Sequence, residues 1–280
     1  MILLADTFNL GIGKFLVNLI DFLIDNYSGF FDIISYIIQS GVDFFHFLLF
    51  SINPYLMILL IAVIVWKTVN LKSVFFSVFF LVIIVMMGLW DTSMITLSLI
   101  ITSTLIALLL GIPLGIIKAR SKLVSTLLDP MLDVMQTLPS LAYLIPAVLF
   151  FGIGEVPGVI ATVIFAMPPA IKLTALGIEQ VSNELIEVGR AFGGTSWQIL
   201  TKIELPTAVP SIMMGVNQAI MLSFSMVVIA GFIGSGGLGE VIISGIQRYS
   251  LAPALEAGIA VTFLAVIFDR ITRNLVGSKI

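Results

Sequence analysis

Residues whose types and spacing can do chemistry are concentrated between Ser182 and Pro206, in the stretch SNELIEVGRAFGGTSWQILTKIELP. This stretch carries carboxylates, a glycine pair and many apolar side chains, but it holds no Cys, no His and no nucleophile beside a base. General acid–base catalysis and covalent catalysis both depend on such neighbouring groups. The composition of the stretch therefore favours docking onto a partner over catalysis.

Local signals in this stretch predict two short helices joined by a glycine corner. Ser182 or Asn183 can cap the first helix, and the glycines at 193–194 supply the left-handed residue on which such a helix ends. Thr195 and Gln198 have the spacing of a capping box at the start of the second helix. We call residues 182–206 the elbow.

The end of the elbow is predicted at Pro206, because proline has no N–H to contribute to a helical ladder. Two helices this short would be marginal in water on their own. We therefore expect the elbow to gain its order by packing on the rest of the chain and on a partner.

Composition places the whole chain in a membrane. Of its 280 residues, 59% are hydrophobic and 10% are charged, and the mean hydropathy is +1.19. So few polar residues cannot cover a soluble globule, which predicts an all-α polytopic membrane protein. The absence of Cys and the presence of one His, His46 among phenylalanines, argue against metal sites, cysteine nucleophiles and imidazole catalysis.

The chain divides into an N-terminal region, 1–53, and a transmembrane domain, 54–280. Charges such as Asp6, Asp21, Asp32 and Asp43 interrupt the N-terminal region, so we expect interfacial amphipathic helices there and no full span. The rest of the chain contains about seven predicted spans, at 54–69, 72–90, 93–117, 138–154, 157–177, 207–233 and 252–269. The glycine-rich segment 234–239 does not follow a strand and is predicted to be a loop.

Basic residues set the predicted orientation. With the N-terminus outside, only Lys14 and Arg248 remain on the outer side. The other basic residues then fall inside, namely Lys67, Lys72, Lys118, Arg120, Lys122, Lys172, Arg190, Lys202, Arg270, Arg273 and Lys279. The positive-inside rule selects this topology, which makes both the elbow and the C-terminus cytoplasmic.

The elbow resembles the cytoplasmic EAA loop of ABC importer permeases. That pattern is Glu-Ala-Ala, three residues, Gly, nine residues and Ile-x-Leu-Pro; here Val188 and Gly189 stand where the pattern has alanines. An ordinary amphipathic loop between helices is the alternative interpretation. The resemblance implies that the residues coupling the chain to an ATPase are Glu187, Val188, Gly189, Gly193, Ile203, Leu205 and Pro206.

A second resemblance covers most of the chain from about Trp90 onward. The stretch LDVMQTLPSLAYLIPAVLFFGIGEVPGVIATVIFAMPPAIKLTALGIEQV is similar to the membrane core of permeases for glycine betaine and related quaternary-ammonium compatible solutes. The resemblance implies a type I ABC importer permease fold and osmoprotectant uptake by alternating access. It places the chain in the cell membrane of a prokaryote.

Prolines within the spans favour broken helices that line a cavity, although kinks in ordinary membrane helices are the alternative. The polar residues and methionines of the sixth span could equally well line a path or mediate helix packing. The candidate residues of a translocation path are Gln136, Thr137, Pro139, Tyr143, Pro146, Asn217, Met221 and Ser225.

The chain has no Gly-x-x-x-x-Gly-Lys-Ser/Thr phosphate loop. We therefore expect no cofactor in this chain, no catalytic residue and no metal site, with ATP and Mg²⁺ bound by a separate ATPase. The resemblance implies two ATPase copies, a second copy of the permease, an extracytoplasmic substrate-binding protein and membrane lipid as partners. No nucleic acid is expected to bind.

Three other functions are alternatives for a chain of this composition. Within transport, the alternative is an ABC importer for another small solute, such as an amino acid. A secondary transporter would need ion-coupling groups, and the chain shows no evident inverted repeats and few carboxylates near the midplane of its spans. An intramembrane enzyme would need a constellation of Ser, Asp, His or Glu inside the bilayer, and the sequence shows none.

Overall fold

The computed structural model of the chain describes residues 12–277, and within that range every regular element is helical, which confirms the predicted all-α fold class. Predictions on Asp6, on Lys279 and on the two termini lie outside the described residues. The α-helices are α1 Ile12–Phe50, α2 Pro54–Thr68, α3 Leu71–Met86, α4 Trp90–Arg120, α5 Lys122–Thr137, α6 Leu144–Phe151, α7 Glu155–Glu179, α8 Asn183–Ala191, α9 Ser196–Ile199, α10 Leu205–Ala230, α11 Gly237–Gln247 and α12 Leu251–Gly277. Short 3-10 segments occupy Ser140–Tyr143 and Gly231–Ile233, and a π-helical segment occupies Leu200–Glu204.

Six of the seven predicted spans coincide with a helix, whereas 138–154 covers the 3-10 segment Ser140–Tyr143 and the eight-residue α6. Helices α2 and α3 have 15 and 16 residues, or about 22 to 24 Å at 1.5 Å per residue. That is shorter than the roughly 30 Å of a bilayer core. Within residues 12–277, five helices are long and apolar enough to cross a membrane. A sixth span results if Lys122–Thr137 and Ser140–Phe151, which meet at 112°, count as one.

The N-terminal helix differs from the sequence expectation. Helix α1 is 39 residues long with a kink at Tyr27, and Gly13–Phe50 contains a window apolar enough to cross a membrane. Within Ile12–Phe50, Asp32 and Asp43 leave no uncharged stretch of about 20 residues, so the expectation of no full span stays a prediction. The interfacial location of this helix stays a prediction.

Helix α1 is held against the neighbouring ends of α6 and α7. Gln39 Nε2 donates a hydrogen bond of 3.0 Å to Glu155 Oε2 in the first turn of α7. The ring of Phe31 stacks on that of Phe150 with centroids 4.8 Å apart. These contacts fix α1 beside the end of the bundle at which α7 begins.

The centre of the bundle is α7, with α4 and α10 packed closely against it. A Cβ on Gly115 of α4 would lie 2.7 Å from the carbonyl oxygen of Ile171, and one on Gly215 of α10 would lie 3.1 Å from that of Pro169. Lipid tails are as apolar as side chains, so helices in a membrane associate through such close contacts between small residues. Glycines thus bring both helices to the same turn of α7.

Prolines behave differently from one helix to the next. Pro139 stands at the bend between α5 and α6, as the broken-helix expectation requires. Pro168 and Pro169 instead lie buried inside the continuous helix α7, so the expectation that they interrupt a helix is wrong. Proline has no N–H to bond the carbonyl one turn earlier, and membrane helices tolerate this loss where neighbouring helices pack around them.

The glycine-rich segment is a loop only in its first part. Gly234 and Gly236 have φ values of 68° and 79° and form the turn, whereas α11 already begins at Gly237. The backbone N–H of Leu238 donates 2.8 Å to Thr96 Oγ1 of α4. This bond fixes the start of α11, a helix that the sequence did not predict, against the membrane core.

Adding a methyl group at the α4–α7 contact should destabilise the protein. We expect Gly115→Ala to lower the free energy of unfolding by about 1 to 3 kcal/mol, because the new Cβ overpacks backbone that cannot move away. Gly258→Ala is the matched control, since a Cβ there meets nothing within 4 Å. Equal thermal unfolding midpoints of the two variants in detergent micelles would contradict the packing described here.

Candidate functional site

The elbow has the conformation that the sequence predicts. Helix α8 ends at Ala191, and Gly193 follows with a φ of 76°. The N–H of Gly193 donates 2.9 Å to the Arg190 carbonyl, and that of Gly194 donates 3.0 Å to the Gly189 carbonyl. These bonds satisfy the last carbonyls of the helix, and the left-handed φ favours glycine at the corner.

The second arm of the elbow begins with the predicted capping box. The N–H of Thr195 donates 2.8 Å to Gln198 Oε1, and the N–H of Gln198 donates 3.3 Å to Thr195 Oγ1. Ser182 occupies the cap position of α8, although its side chain makes no capping hydrogen bond. The helix, glycine corner, helix prediction is therefore confirmed.

The helix does not stop at Pro206, which corrects the sequence prediction. The chain stays helical from Ser196 to Ile233, and the N–H of Leu205 donates to the carbonyl of Leu200, five residues earlier. Proline is tolerated in the first turn of a helix, and the wider π-helical turn before it accommodates its ring. The second arm of the elbow is thus continuous with the membrane helix α10.

An ion pair ties the elbow to α4. Arg120 Nη2 lies 2.6 Å from Glu204 Oε2 and also donates 3.3 Å to the carbonyl of Ser196. Glu204 is only 7% exposed, so its charge depends on this partner. Sequence reasoning missed this residue. Glu204 lies four residues from both Leu200 and Ala208, which places it on the same face of a helix as these two apolar residues, and both of them are buried. That spacing was the sequence signal for a buried carboxylate.

The elbow exposes several large apolar side chains on its surface. Phe192 is 89% exposed and Trp197 is 71% exposed, and Leu185 and Val188 are exposed beside them. Solvated loops do not normally present so many large apolar side chains together. We call these four residues the elbow patch.

The residues assigned to ATPase coupling occupy distinct places in the elbow. Glu187 is exposed on α8, next to Val188 of the elbow patch, while Leu205 is partly buried and Pro206 exposed at the start of α10. A groove of about 330 Å³ lies beneath the corner, lined by Gly189, Phe192, Gly193, Gly194, Gln198, Ile199, Lys202 and Ile203.

Gly189, which departs from the alanine of the EAA pattern, has a structural explanation. A Cβ there would lie 2.6 Å from Cδ1 of Ile203 on the second arm. The two arms therefore pack against each other through Gly189 and Ile203, and an alanine would require that isoleucine to move.

The first group of predicted path residues lies along the bend between α5 and α6. Gln136 Oε1 accepts a hydrogen bond of 2.7 Å from Lys172 Nζ of α7, and Thr137 ends α5. Pro139 and Pro146 are exposed, whereas Tyr143 is buried. The Tyr143 hydroxyl donates to the Met135 carbonyl, which holds the two halves of the bent pair together.

The second group lies on α10, facing α12. Asn217 Nδ2 donates 3.2 Å to Asp269 Oδ1, and the hydroxyl of Thr272 donates to Asn217 Oδ1. Met221 and Ser225 line a cavity of about 590 Å³ between these helices.

The structure does not bring the two groups together around one cavity. Tyr143 of the first group packs on α10 through Met226, whereas Met221 and Ser225 of the second group face α12. Adjacent residues point in different directions around a helix, so the two groups lie on different sides of α10. The assignment of these eight residues to a path stays a prediction.

The bundle and its elbow define a class of protein. They form an all-α membrane permease of the type I ABC importer fold. A solved structure of the MetNI methionine ABC transporter supports this fold, with a TM-score of 0.61 and 19% sequence identity over 66% of this chain and 93% of that chain. Within the described residues, no three His, Asp or Glu side chains cluster as a metal site would require.

The chain belongs to the family of binding-protein-dependent transport system inner membrane components, which residues 111–278 match. It is 46% identical to the glycine betaine/carnitine transport permease protein GbuB of Listeria monocytogenes, over 92% of this chain and 94% of that protein. It is 40% identical to the glycine betaine transport system permease protein OpuAB of Bacillus subtilis, over 91% of each chain. It is 41% identical to the glycine betaine/proline betaine transport system permease protein ProW of Escherichia coli, over 91% of this chain and 72% of that protein.

Replacing one partner of the Arg120–Glu204 pair should lower the free energy of unfolding more than replacing both partners. Arg120→Met leaves the buried carboxylate unpaired, which costs about 1 to 3 kcal/mol, whereas two apolar replacements leave no buried charge. We expect the double variant Arg120→Met, Glu204→Leu to unfold at a higher temperature than Arg120→Met alone. If the stability lost in the double variant equals the sum of the losses in the two single variants, the pair does not stabilise the elbow.

Proposed function

We propose that this chain forms the translocation pathway of an ATP-driven importer for glycine betaine or a related quaternary-ammonium compatible solute. The observation that carries the proposal is the elbow, a short helical hook with an uncovered apolar patch that continues directly into a membrane helix. The names of the three relatives support the substrate class. Transport runs by alternating access, in which movement of the elbow reopens the bundle on the other side of the membrane.

The elbow patch and the groove beneath it receive a separate ATPase. An apolar surface of this kind is stabilised when a partner covers it, and Glu187 beside Val188 offers a carboxylate to a donor on that partner. The ATPase binds the ATP and Mg²⁺. Two ATPases and two copies of this permease make up the membrane complex, and an extracytoplasmic binding protein delivers the solute.

The orientation of the chain follows from this assignment. The elbow lies in the cytoplasm with the C-terminus, and the N-terminus lies outside in the cell membrane of a prokaryote. Residues 1–53 form the N-terminal region and 54–280 the permease domain. The contacts of Phe31 with Phe150 and of Gln39 with Glu155 hold the N-terminal region at the end of the bundle where α7 begins.

Uptake by membrane vesicles tests the proposal. Vesicles that contain this chain, its ATPase and its binding protein should accumulate radiolabelled glycine betaine only with ATP, and an ionophore that dissipates ion gradients should have no effect. Competition by unlabelled glycine betaine but not by unlabelled amino acids identifies the substrate class. Uptake that needs no ATP and collapses with the ionophore would establish a secondary transporter instead.

Gly193 should be required for coupling because of its backbone conformation and not because of its packing. A Cβ on Gly193 meets nothing within 4 Å, but its left-handed φ costs a β-branched residue about 1 to 2 kcal/mol. That is a factor of roughly 5 to 30 in the population of the native corner. We expect Gly193→Val to lower uptake by a comparable factor, whereas Gly193→Asn, which tolerates this conformation, stays near the parent rate.

Both Gly193 variants should insert into the membrane at the parent level, since no packing contact is lost. Substrate-stimulated ATP hydrolysis, measured in the purified complex, reports coupling independently of uptake. Equal rates for the Val and Asn variants in both assays would mean that the corner geometry does not matter for transport.

A further inference from the structure

Helices α2 and α3 form a hairpin whose charged side chains are all basic. A two-residue turn joins the helices, with Lys67 in the last turn of α2 and Lys72 in the first turn of α3. The sequence has no Asp or Glu between Asp43 and Asp91. Both lysines are exposed, so the turn end of the hairpin presents two positive charges that no acidic residue of the hairpin neutralises.

Helix α12 adds a third cation to the same end of the hairpin. The ring of Phe263 stacks on that of Phe80, with centroids 4.1 Å apart. Nearer the turn, Arg270 Cζ of α12 lies 5.3 Å from the ring centroid of Phe76, and Lys72 stands one helical turn before this ring on the same face of α3. Among the described residues, none of the three cations forms an ion pair with a carboxylate. We call Lys67, Lys72 and Arg270 the hairpin cations.

An apolar groove leads away from the hairpin cations along α3. It has a volume of about 560 Å³ and is lined by Leu71, Lys72, Val74, Phe75 and Val78. Val78 lies six residues beyond Lys72, or about 9 Å along the helix axis. We call this feature the α3 groove. A cation therefore stands at one end of the groove, and apolar walls extend from it along the hairpin.

The hairpin is too short to reach both headgroup layers of a bilayer. Helices α2 and α3, of 15 and 16 residues, are about 22 to 24 Å long against roughly 30 Å for the hydrocarbon core. A short helix is accommodated by local thinning of the bilayer and by long basic side chains that extend to the headgroups. Trp66, which precedes Lys67 and is 64% exposed, is of the residue type enriched at this interface. The hairpin cations therefore lie at the level of the lipid phosphates.

We propose that the hairpin cations bind the phosphate of an anionic phospholipid, one of whose acyl chains fills the α3 groove. Basic groups between membrane helices on the cytoplasmic side bind anionic headgroups, and the groove offers apolar surface that a soluble anion does not use. A second copy of this chain does not fit here. A two-fold interface would set lysine against lysine, and residues 44–90 hold no carboxylate to pair them. The inner-leaflet location of this lipid rests on the orientation given under the proposed function.

Quenching of Trp66 fluorescence by brominated phospholipid tests the site, because bromine quenches indole emission only at short range. The permease and its ATPase are reconstituted at one fixed ratio of phosphatidylglycerol to phosphatidylcholine, with either the first lipid or the second brominated. The difference in emission between the parent chain and Trp66→Phe isolates Trp66 from Trp90 and Trp197. Per mole of brominated lipid, we expect phosphatidylglycerol to quench Trp66 about fivefold more strongly, the preference that one basic group near an anionic surface contributes.

Variants of the lysines separate the site from the overall charge of the protein. Lys67→Gln combined with Lys72→Gln should abolish the preference for phosphatidylglycerol, whereas Lys67→Arg combined with Lys72→Arg should retain it. Lys14→Gln combined with Lys122→Gln is the matched control, because it removes the same charge from exposed positions on α1 and α5. This control should show the parent preference.

Equal quenching by the two lipids in the parent complex would overturn the proposal, and so would an equal loss of preference in the Lys14 and Lys122 control. Relief of the quenching by millimolar inorganic phosphate at constant ionic strength would also overturn it, since the cations would then hold a soluble anion. Both leaflets contain the brominated lipid, so the assay does not depend on the orientation of the chain. A lipid preference in a complex without ATP-driven uptake supports the lipid site while the proposed function fails. Normal uptake without a lipid preference removes the lipid site and leaves the proposed function standing.

Discussion

The close approach of α4 and α10 to one turn of α7 is the contact on which the rest of the structure depends. Gly115 and Gly215 leave no room for a side chain against the carbonyls of Ile171 and Pro169. Nearer the end of α7, a Cβ on Gly177 would lie 2.7 Å from that of Ser211. Because helices in lipid gain little from the hydrophobic effect, such contacts fix their positions. They bring the end of α4 and the beginning of α10 to the same end of α7.

The elbow depends on that arrangement. Arg120 closes α4 five residues after Gly115, and Glu204 precedes α10, so the packing of both helices on α7 brings the two charges together. One arm of the elbow is continuous with α10, and the ion pair connects that arm to α4 as well. A force applied to the elbow patch therefore reaches two of the three central helices, which is the mechanical property that alternating access needs.

Short-range features of the elbow were predictable because their causes lie within a few residues. The capping box of Thr195 and Gln198 and the left-handed Gly193 each follow from local backbone chemistry. The continuation of the helix through Pro206 was not predictable in this way, because a π-helical turn has no clear sequence signal. Arg120 and Glu204 are 84 residues apart in the chain, so no local pattern could pair them. The spans other than 138–154 were located from hydropathy alone, while α11 was missed because its glycines predict a loop.

The central claim is that the elbow patch is cytoplasmic and covered by an ATPase, and protection of a single cysteine tests it directly. Phe192→Cys places a thiol at the most exposed position of the patch, and Ser250→Cys places one in the turn between α11 and α12, on the predicted outer side. In inside-out vesicles an impermeant maleimide should label Phe192→Cys rapidly without the ATPase and at least tenfold more slowly with it. In right-side-out vesicles the reagent should label only Ser250→Cys. Labelling of Phe192→Cys from outside, or at one rate with and without the ATPase, would contradict the account.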